Sequence, residues 1–466
     1  MTVRTMIISL YDTLSKSMKT FQPQKENIVT MYVCGPTVYD FPHVGNARPA
    51  IVFDILFRLL KSAYPNVLYA RNFTDIDDKI FAVASDMGVP YQEVTKKFIA
   101  AYKEDMRRLG VLEPSSEPRV TENIHEIIRM INDLVEKKFA YIADGHVLFE
   151  VKRFRDYGKL SKRNQDEMLA GARVEVAPYK RNPADFVLWK PSKNGIPGWD
   201  SDWGYGRPGW HIECSAMSRK IFASSIDIHG GGMDLIFPHH ENEIAQSECA
   251  FHNEKYAKYW VHNGHVTIEG QKMSKSLGNI IRVKDLLEKE PGEVVRFALI
   301  STHYRQPLDW TSESPWRAKQ SLDKIYRILA ELQPNEPMSV TKPSLNRIKE
   351  ALSADLNTPE AISIMFKICK EIKNSKRLEV RLELLQELRD GANLLGLLKN
   401  DPNTWFKSSV SGQLDESEII KFIERRNEAR KNKDFKTADK IRKQLVQKNI
   451  LLKDGAQGTD WEFIEK

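Results

Sequence analysis

The N-terminal part of the chain alternates between strand and helix patterns, and this alternation constrains the fold more than any other feature. Residues 28–34 are β-branched and aromatic and end abruptly at a Gly-Pro pair, as a buried strand does. Apolar side chains then recur at helical spacing over 46–64, a second strand pattern covers 67–73, and a further helix begins at about Asp77. This order predicts a parallel α/β sheet, and such sheets bind their ligands at the carboxyl ends of the strands.

Length and composition place the chain among large globular proteins. Its 466 residues exceed one ordinary domain, and 41% hydrophobic with 29% charged side chains exclude disordered and collagen-like chains. The four cysteines are too few and too scattered for a disulfide scaffold, and such usage fits a reducing cytosol. The sequence has neither a signal-peptide pattern nor an apolar run long enough to cross a bilayer. We therefore expect a cytoplasmic protein with no membrane partner.

The later segments differ in character from this α/β start. Residues 113–207 begin with a proline-rich turn and end in a loop rich in Gly, Pro and Trp, and they contain an alternating hairpin strand at 141–151. We interpret them as an insertion, because an αβ pattern resumes at about Trp210. Beyond residue 313 the apolar spacing is helical, with a proline-containing connection at 333–343. The predicted helices cover 321–332, 344–356, 358–372 and 380–398.

The predicted architecture is an α/β fold: a Rossmann-like parallel-sheet domain with an inserted αβ subdomain, an α-helical bundle domain and a small C-terminal domain. Seven segments follow one another along the chain. They are the first half of the sheet domain, the insertion, the second half of the sheet domain, a region that contains the loop at 272–276, the helical bundle, a linker and the C-terminal domain. Their predicted boundaries are 1–112, 113–207, 208–266, 267–313, 314–398, 399–413 and 414–466.

Two short motifs suit the binding of a polyphosphate. The turn from His43 to Asn46 joins the first strand to its helix, where Gly45 allows close backbone approach and the helix start stabilises negative charge. The second motif, Lys-Met-Ser-Lys-Ser at 272–276, places two lysines on a predicted loop. Read alone, the first motif is more often an ordinary surface histidine beside a helix-starting glycine, and the second suits a solvated basic turn.

Cysteine, histidine and glutamate side chains form a candidate metal site. Cys34 precedes the first motif, Cys214 lies far along the chain, and His239 and Glu243 are four residues apart, so on a helix they share a face. Two thiolates, an imidazole and a carboxylate suit tetrahedral zinc. Spacing alone leaves the alternatives open: His240 and Cys249 are rival ligands, and each cysteine could be a small buried apolar residue.

Together and in this order, the two phosphate motifs resemble those of class I aminoacyl-tRNA synthetases, with Asn46 where the commonest form has a second histidine. Longer runs resemble the cysteinyl-tRNA synthetase family. They are 31–40, 209–217, 227–246, the 272–276 loop through Tyr304-Arg305, 430–442 and 458–461.

This resemblance implies an enzyme that activates L-cysteine with ATP and Mg²⁺ to cysteinyl-adenylate and diphosphate, and then charges the tRNA for cysteine. It implies a monomer that holds one zinc ion, bound by Cys34, Cys214, His239 and Glu243, which receives the thiolate of the substrate. The residues implied to contact cysteine are Gly35, Thr37, Thr74, Trp210 and Asp234. Those implied to bind ATP are Pro36, Thr37, His43, Gly45, Asn46, Lys272, Met273, Ser274, Lys275 and Ser276, with His43, Lys272 and Lys275 in catalysis.

The net charge of +7 is concentrated near the C-terminus, where residues 421–448 contain 11 basic and 4 acidic side chains. By resemblance this stretch belongs to an anticodon-binding domain, and neutralisation of phosphates explains its basic excess. The implied tRNA contacts are Arg425, Arg426, Arg430, Lys436 and Arg442, with Trp461 stacking on an exposed base. The plainer interpretation of such a run is a solvated charged helix.

Two other functions compete with this interpretation. A related ligase joins activated cysteine to a sugar amine but lacks the C-terminal tRNA-recognition unit, so the helices beyond 314 and the basic stretch argue against it. A zinc-dependent nucleic-acid-binding module without catalysis would not need both phosphate motifs. Exchange of pyrophosphate into ATP in the presence of cysteine separates these cases.

Overall fold

The computed structural model describes residues 7–163, 177–193, 195–252, 254–332, 346–407, 416–455 and 458–463. The chain forms two compact units. The first comprises Met1–Val283, Leu299–Thr311 and Ile348–Ala361; the second comprises Lys284–Ala298, Ser312–Arg347 and Ile362–Lys466. The predicted boundaries of the seven finer segments stay predictions.

The strands alternate with helices through the first part of the chain. In chain order the strands are β1 Ser9–Asp12, β2 Ser17–Thr20, β3 Ile28–Val33, β4 Asn66–Arg71, β5 Ala140–Ala143, β6 His146–Phe149, β7 Phe186–Pro191, β8 Gly206–Pro208, β9 Ile226–Gly232, β10 Ala257–Asn263, β11 Val266–Ile268, β12 Gln271–Lys272, β13 Leu308–Trp310, β14 Ile450–Gly455 and β15 Gly458–Phe463.

The α-helices follow the same numbering. They are α1 Val44–Lys61, α2 Asp78–Met87, α3 Tyr91–Arg108, α4 Ile124–Glu136, α5 Trp210–Phe222, α6 Glu241–Ala250, α7 Val283–Leu287, α8 Gly292–Ile300, α9 Ser314–Glu331, α10 Arg347–Ser353, α11 Thr358–Asn374, α12 Leu378–Leu395, α13 Pro402–Trp405, α14 Glu416–Lys431 and α15 Phe435–Gln447. Among the described residues, none of these helices combines the length and the apolar character needed to cross a membrane.

A four-stranded parallel sheet forms the centre of the first unit, in the order β10-β9-β3-β4. It confirms the predicted α/β sheet, with β3 and β4 at the predicted positions and α1 between them. The register pairs Val33 with both Arg71 and Gly230, so β3, β4 and β9 end at one edge of the sheet. The residues that follow these strands are therefore brought together.

The predicted insertion contains a separate antiparallel sheet, in the order β5-β6-β7-β8. The segment 141–151, expected to alternate like a hairpin strand, contributes to both strands of the hairpin β5–β6. Asp144 and Gly145 both adopt positive φ, 47° and 73°, and an Asp-Gly pair accepts the tight turn this requires. Helix α4 buries Ile127, Ile131 and Leu134 in the same core as α5 and α6.

Beyond residue 313 the described chain is helical until the final hairpin β14–β15, as the apolar spacing predicts. The predicted connection at 333–343 lies outside the described residues. The described first half of the predicted linker packs against α9. Trp405 is 3% exposed, stacks on Tyr326 with ring centres 4.1 Å apart, and donates its indole N–H to Asp323 at 2.6 Å.

Candidate active site and metal-binding cluster

Two strands of the parallel sheet deliver cysteine and histidine to one place. Cys34 directly follows β3, and its N–H donates to the carbonyl of Gly230 on β9 at 3.2 Å. His229 precedes Gly230 on β9 and is fully buried, with its Nε2 3.6 Å from the Cys34 sulfur. Ligands at the carboxyl edge of a parallel sheet are the expected arrangement.

Helix α5, the turn that precedes α6, and α6 itself complete a largely buried donor cluster at this edge. The ligand atoms of Cys34, Cys214, His239 and Glu243 all lie within 4.8 Å of one another. The two sulfurs are 3.6 Å apart, Cys34 Sγ lies 3.3 Å from Glu243 Oε1, and His239 Nε2 lies 3.1 Å from the same oxygen. Zinc bonds of about 2.0–2.3 Å place tetrahedral ligands roughly 3.3–3.8 Å apart, so this donor set fits zinc.

The structure also describes the rival ligands. A second set, Cys34, His229, His240 and Glu243, meets the same distance criterion. Both rings direct Nε2 at Glu243 Oε1, His239 from 3.1 Å and His240 from 3.8 Å, and His240 Nδ1 lies 2.8 Å from His262 Nε2. Among the described residues neither donor set includes Cys249, which is 3% exposed within the apolar core.

Burial governs the protonation of this cluster. It raises the pKa of the Cys34 thiol well above its ordinary value and that of Cys214 to about 11. Burial also opposes ionisation of Glu243, but His229, His239 and a hydrogen bond from Tyr256 outweigh it and hold the pKa at about 2. One carboxylate therefore carries charge before any cation binds, and both thiols must lose protons when a metal does.

Neighbouring side chains orient two of the donors. Tyr256 donates its hydroxyl to Glu243 Oε2 at 2.9 Å. His239 Nδ1 lies 3.0 Å from His211 Nδ1. When His239 Nδ1 donates its N–H to His211, the Nε2 of His239 is left free to bind a cation. Sequence reasoning missed the roles of Tyr256 and His229. The sequence placed His229 inside the 227–246 run but gave it no role.

The residues implied to contact cysteine lie after the ends of β3, β4 and β9 and at the start of α5. Thr37 and Thr74 pair as a parallel bridge beyond the strand ends, and Thr74 donates its hydroxyl to the buried Glu213 at 2.9 Å. At Gly35 an added Cβ would lie 1.8 Å from the carbonyl oxygen of Asn72, so any side chain there would collide with backbone. The last two, Trp210 and Asp234, are exposed.

Trp210 forms one side of the approach to the cluster. Its ring is 42% exposed and stacks on His239, with ring centres 4.4 Å apart and planes 23° from parallel. An indole face beside a donor cluster gives a bound side chain an apolar wall. Asp234 follows the glycine run at the end of β9, with its carboxylate against Gly232.

The first phosphate motif forms the start of α1. His43 is the N-cap residue, and its N–H donates to the side-chain oxygen of Asn46 at 3.1 Å. Asn46 therefore organises the helix start, a role that an amide fills well and that needs no charge. Among the described residues the buried His43 Nδ1 has no hydrogen-bond partner, and burial lowers the pKa of His43, so its imidazole is neutral near pH 7.

The 272–276 loop lies against this motif. The methyl end of Met273 would be 2.9 Å from a Cβ added at Gly45, so the glycine makes room for it. Within the loop, the Ser274 N–H donates to Asn279 at 2.9 Å, and the Ser274 and Ser276 hydroxyls are 3.2 Å apart. Pro36 precedes the first motif in the chain, and its carbonyl accepts from the Thr74 N–H at 3.2 Å.

The two lysines of the loop are exposed. Lys272 ends β12. Lys275 reaches back to Asp40, with 3.0 Å between Nζ and Oδ2, and lies over the ring of Tyr39 at 4.8 Å. This ion pair lowers the pKa of Asp40 against the opposing effect of its partial burial. The structure thus brings the two motifs together, and the ammonium of Lys275 is paired with the carboxylate of Asp40.

Comparison with known proteins decides the family. The model of the tRNA synthetases class I (C) catalytic domain matches residues 20–320, and the DALR domain matches residues 347–399. A cysteine–tRNA ligase of Rhodospirillum centenum is 53% identical over 459 residues, covering 98% of this chain and 100% of that one. The cysteine–tRNA ligase of Parvibaculum lavamentivorans is 50% identical over 455 residues, 97% of each chain.

The chain belongs to the cysteine–tRNA ligase family. The predicted family is thereby confirmed. Among solved structures it is similar to methionyl-tRNA synthetase of Mycobacterium tuberculosis in complex with methionyl-adenylate, at TM-score 0.55 and 14% identity over 83% of this chain and 96% of that one. A leucyl-tRNA synthetase in a ternary complex, from Agrobacterium radiobacter, gives TM-score 0.55 at 11% identity over 81% and 86% of the two chains. At these identities the structures establish the shared fold.

Two of the residues that the resemblance implies to contact tRNA, Trp461 and Arg426, are buried, which corrects those predictions. Trp461 is 4% exposed in the core that joins α14, α15 and the final hairpin, so its ring is not available to stack on a base. Arg426 is also buried and makes two hydrogen bonds to Asp454, at 2.8 and 2.7 Å. Both side chains stabilise the fold. The other predicted tRNA contacts, Arg425, Arg430, Lys436 and Arg442, are exposed.

Proposed function

We propose that this member of the cysteine–tRNA ligase family activates L-cysteine with ATP and transfers it to the tRNA for cysteine. The supporting observation is that one unit places a buried Cys/His/Glu cluster and both phosphate motifs around the end of β3. The cluster begins at Cys34, and the His43 turn follows it nine residues later in the chain. This arrangement suits an amino acid whose side chain enters the cluster while its carboxylate faces ATP.

We propose that the cluster holds one zinc ion through Cys34, Cys214, His239 and Glu243. Bound zinc would supply a soft Lewis acid that prefers a thiolate to a hydroxyl. Around it, Tyr256 fixes the Glu243 carboxylate, and Trp210 covers His239 and walls the pocket. A packing pocket alone would separate cysteine from serine by only about 1–3 kcal/mol, so donor chemistry gives the stronger discrimination.

In the activation step, a carboxylate oxygen of cysteine attacks the α-phosphorus of Mg-ATP and diphosphate leaves. No protein nucleophile is required, because orientation and charge stabilisation suffice. The neutral His43 imidazole donates a hydrogen bond to a phosphoryl oxygen. Lys275 leaves Asp40 and, with Lys272, neutralises the charge that develops on the leaving diphosphate.

Recognition of tRNA is assigned to the C-terminal part of the second unit. The exposed Arg425, Arg430, Lys436 and Arg442 neutralise phosphates there. In this proposal the enzyme acts as a cytoplasmic monomer, with ATP, Mg²⁺, L-cysteine and the tRNA for cysteine as its substrates and cofactors.

Aminoacylation of tRNA with cysteine and with serine, each with and without a zinc chelator, tests this function. We expect charging with cysteine alone and its loss on chelation. Charging that survives complete zinc removal would contradict the metal role. Cysteine-dependent pyrophosphate exchange with transfer to a sugar amine instead of tRNA would support the related ligase.

A further inference from the structure

A buried arginine links the two phosphate motifs. Arg48 lies on α1 five residues after His43, and its side chain is completely buried. Burial lowers the pKa of its guanidinium to about 10, so it remains charged at neutral pH. A buried charge is costly unless its hydrogen-bonding capacity is used, so the partners of Arg48 indicate its purpose.

The partners of Arg48 are backbone carbonyls on two separate loops. Nη1 donates to Gly264 and His265 at 2.8 Å each, and Nη2 donates to Gln306 at 2.7 Å and to His303 at 3.3 Å. Among the described residues no carboxylate pairs with it. One rigid, planar group thus holds two backbone segments that are about 40 residues apart in sequence.

Each of these two loops leads into a strand, and the two strands are neighbours in one sheet. His265 directly precedes β11, and Gln306 is two residues before β13. The small sheet β12-β11-β13 that they begin leads through β12 into the 272–276 loop. The backbones are also closely packed here, since a Cβ added at Gly264 would lie 2.4 Å from the Gln306 carbonyl oxygen.

The far end of the 272–276 loop is held to the same helix start by backbone. The Val44 N–H donates to the Ile281 carbonyl at 3.0 Å, and the Val283 N–H donates to the Pro42 carbonyl at 2.9 Å. The loop is therefore tied to the His43 turn after its last residue by a backbone bridge. Before its first residue, the corresponding tie is the side chain of Arg48.

We propose that Arg48 is a positioning residue that sets the distance between the His43 turn and the lysine-bearing 272–276 loop, and so controls ATP binding and activation without touching ATP. The proposal rests on the assignment of these two motifs to ATP. We call the hydrogen bonds from Arg48 to the two loops the clasp. Weakening the clasp should change KM for ATP and the activation rate and leave KM for cysteine unchanged.

The test is Arg48→Lys in the full-length zinc-loaded protein, because one ammonium cannot span four carbonyls on two loops. In cysteine-dependent pyrophosphate exchange, normalised by active-site titration, we expect KM for ATP to rise at least about fivefold and kcat to fall about tenfold. KM for cysteine and zinc content should stay within about twofold. Arg296→Lys is the matched control, since Arg296 is equally buried but bonds the Leu395 carbonyl in the second unit.

Gly264→Ala is a second, independent variant with Arg48 intact. Its methyl group would force the two clasped loops apart, so it should raise KM for ATP in the same way. A lower melting temperature with both KM values unchanged, in either soluble variant, would overturn the proposal and leave Arg48 a stability residue. If Arg48→Lys is insoluble, Gly264→Ala decides.

A readout that needs no activity separates this proposal from the assigned function. Limited trypsin cleavage at Lys272 and Lys275 should be several-fold faster in Arg48→Lys than in wild type or Arg296→Lys. Equal cleavage rates would contradict the proposal. Absence of cysteine-dependent exchange in wild type would contradict the function, while faster cleavage in the variant would still support the clasp.

Discussion

The donor cluster and the 272–276 loop lie in the same unit but satisfy their charges in different ways. Glu243 is fully buried, and its Oε1 lies 3.1–3.8 Å from imidazole nitrogens of His229, His239 and His240. Lys275 is 61% exposed and makes one ion pair to a partly exposed aspartate. The cluster is organised before a ligand arrives, whereas the lysine is held by a contact that a phosphate can replace. In the proposed function, the site thus pairs a fixed amino-acid end with an exchangeable nucleotide end.

Removing one thiolate should break the fixed end completely. For Cys34→Ser we expect loss of zinc and a fall of about 10³-fold or more in kcat/KM for cysteine, because a hydroxyl is a poor replacement for a thiolate ligand. Metal analysis and pyrophosphate exchange measure both effects. Cys249→Ser is the control, since that buried thiol is outside both donor sets, and it should keep its zinc. A zinc-replete, active Cys34→Ser enzyme would refute the ligand assignment.

Removing the lysine ammonium should break only the exchangeable end. We expect Lys275→Ala to lower kcat for pyrophosphate exchange by about 10²–10³-fold, the usual cost of losing one donor to developing charge. Zinc content should equal that of wild type. Lys275→Arg keeps the charge but changes its shape, so its rate should fall between the two. Loss of zinc in Lys275→Ala would mean that the two ends are not separate.

Truncation after residue 407 should separate the chemistry from tRNA recognition. We expect adenylation to stay within about twofold and tRNA charging to fall about tenfold or more, because the basic helices α14 and α15 are removed. The cut keeps Trp405 on Tyr326, whereas a cut at 398 would expose that core. Equal loss of adenylation and tRNA charging in a folded truncation would contradict the proposal that the C-terminal residues serve tRNA recognition alone.

The smallest expected effect sharpens the comparison from the side of Asp40. Exposed ion pairs are worth about 0.2–1 kcal/mol, so Asp40→Asn should lower KM for ATP by about 1.5- to 5-fold as Lys275 is freed. Pyrophosphate exchange at varied ATP measures it. A raised KM would instead indicate that the carboxylate helps to position the loop for ATP.

Much of the fold was predictable because its signals are local. Strand 28–34, helix 46–64 and the helices beyond 313 follow from apolar periodicity, which depends on near neighbours in sequence. The donor cluster does not, because Cys34 and Cys214 are 180 residues apart and only the register of β3 with β9 fixes what lies beside Cys34. For that reason spacing left His240 and Cys249 open, and the resemblance had to supply the ligand set.

The incorrect predictions have a common physical cause. Trp461 and Arg426 were assigned to a surface because aromatic and basic side chains suit RNA, yet both are buried by partners that no periodicity predicts. Arg426 pairs with Asp454, 28 residues away, and Trp461 fills a core with Ile419 and Leu445. Sequence indicates what a side chain can bind, but tertiary packing decides whether it is accessible.

X-ray absorption at the zinc edge, before and after addition of cysteine, tests the proposed recognition of the substrate thiol most directly. We predict a shell with two sulfur ligands from Cys34 and Cys214 in the free enzyme. With cysteine one further sulfur should appear, and with serine none. A ligand shell that cysteine leaves unchanged would contradict the claim that this cluster recognises the substrate thiol.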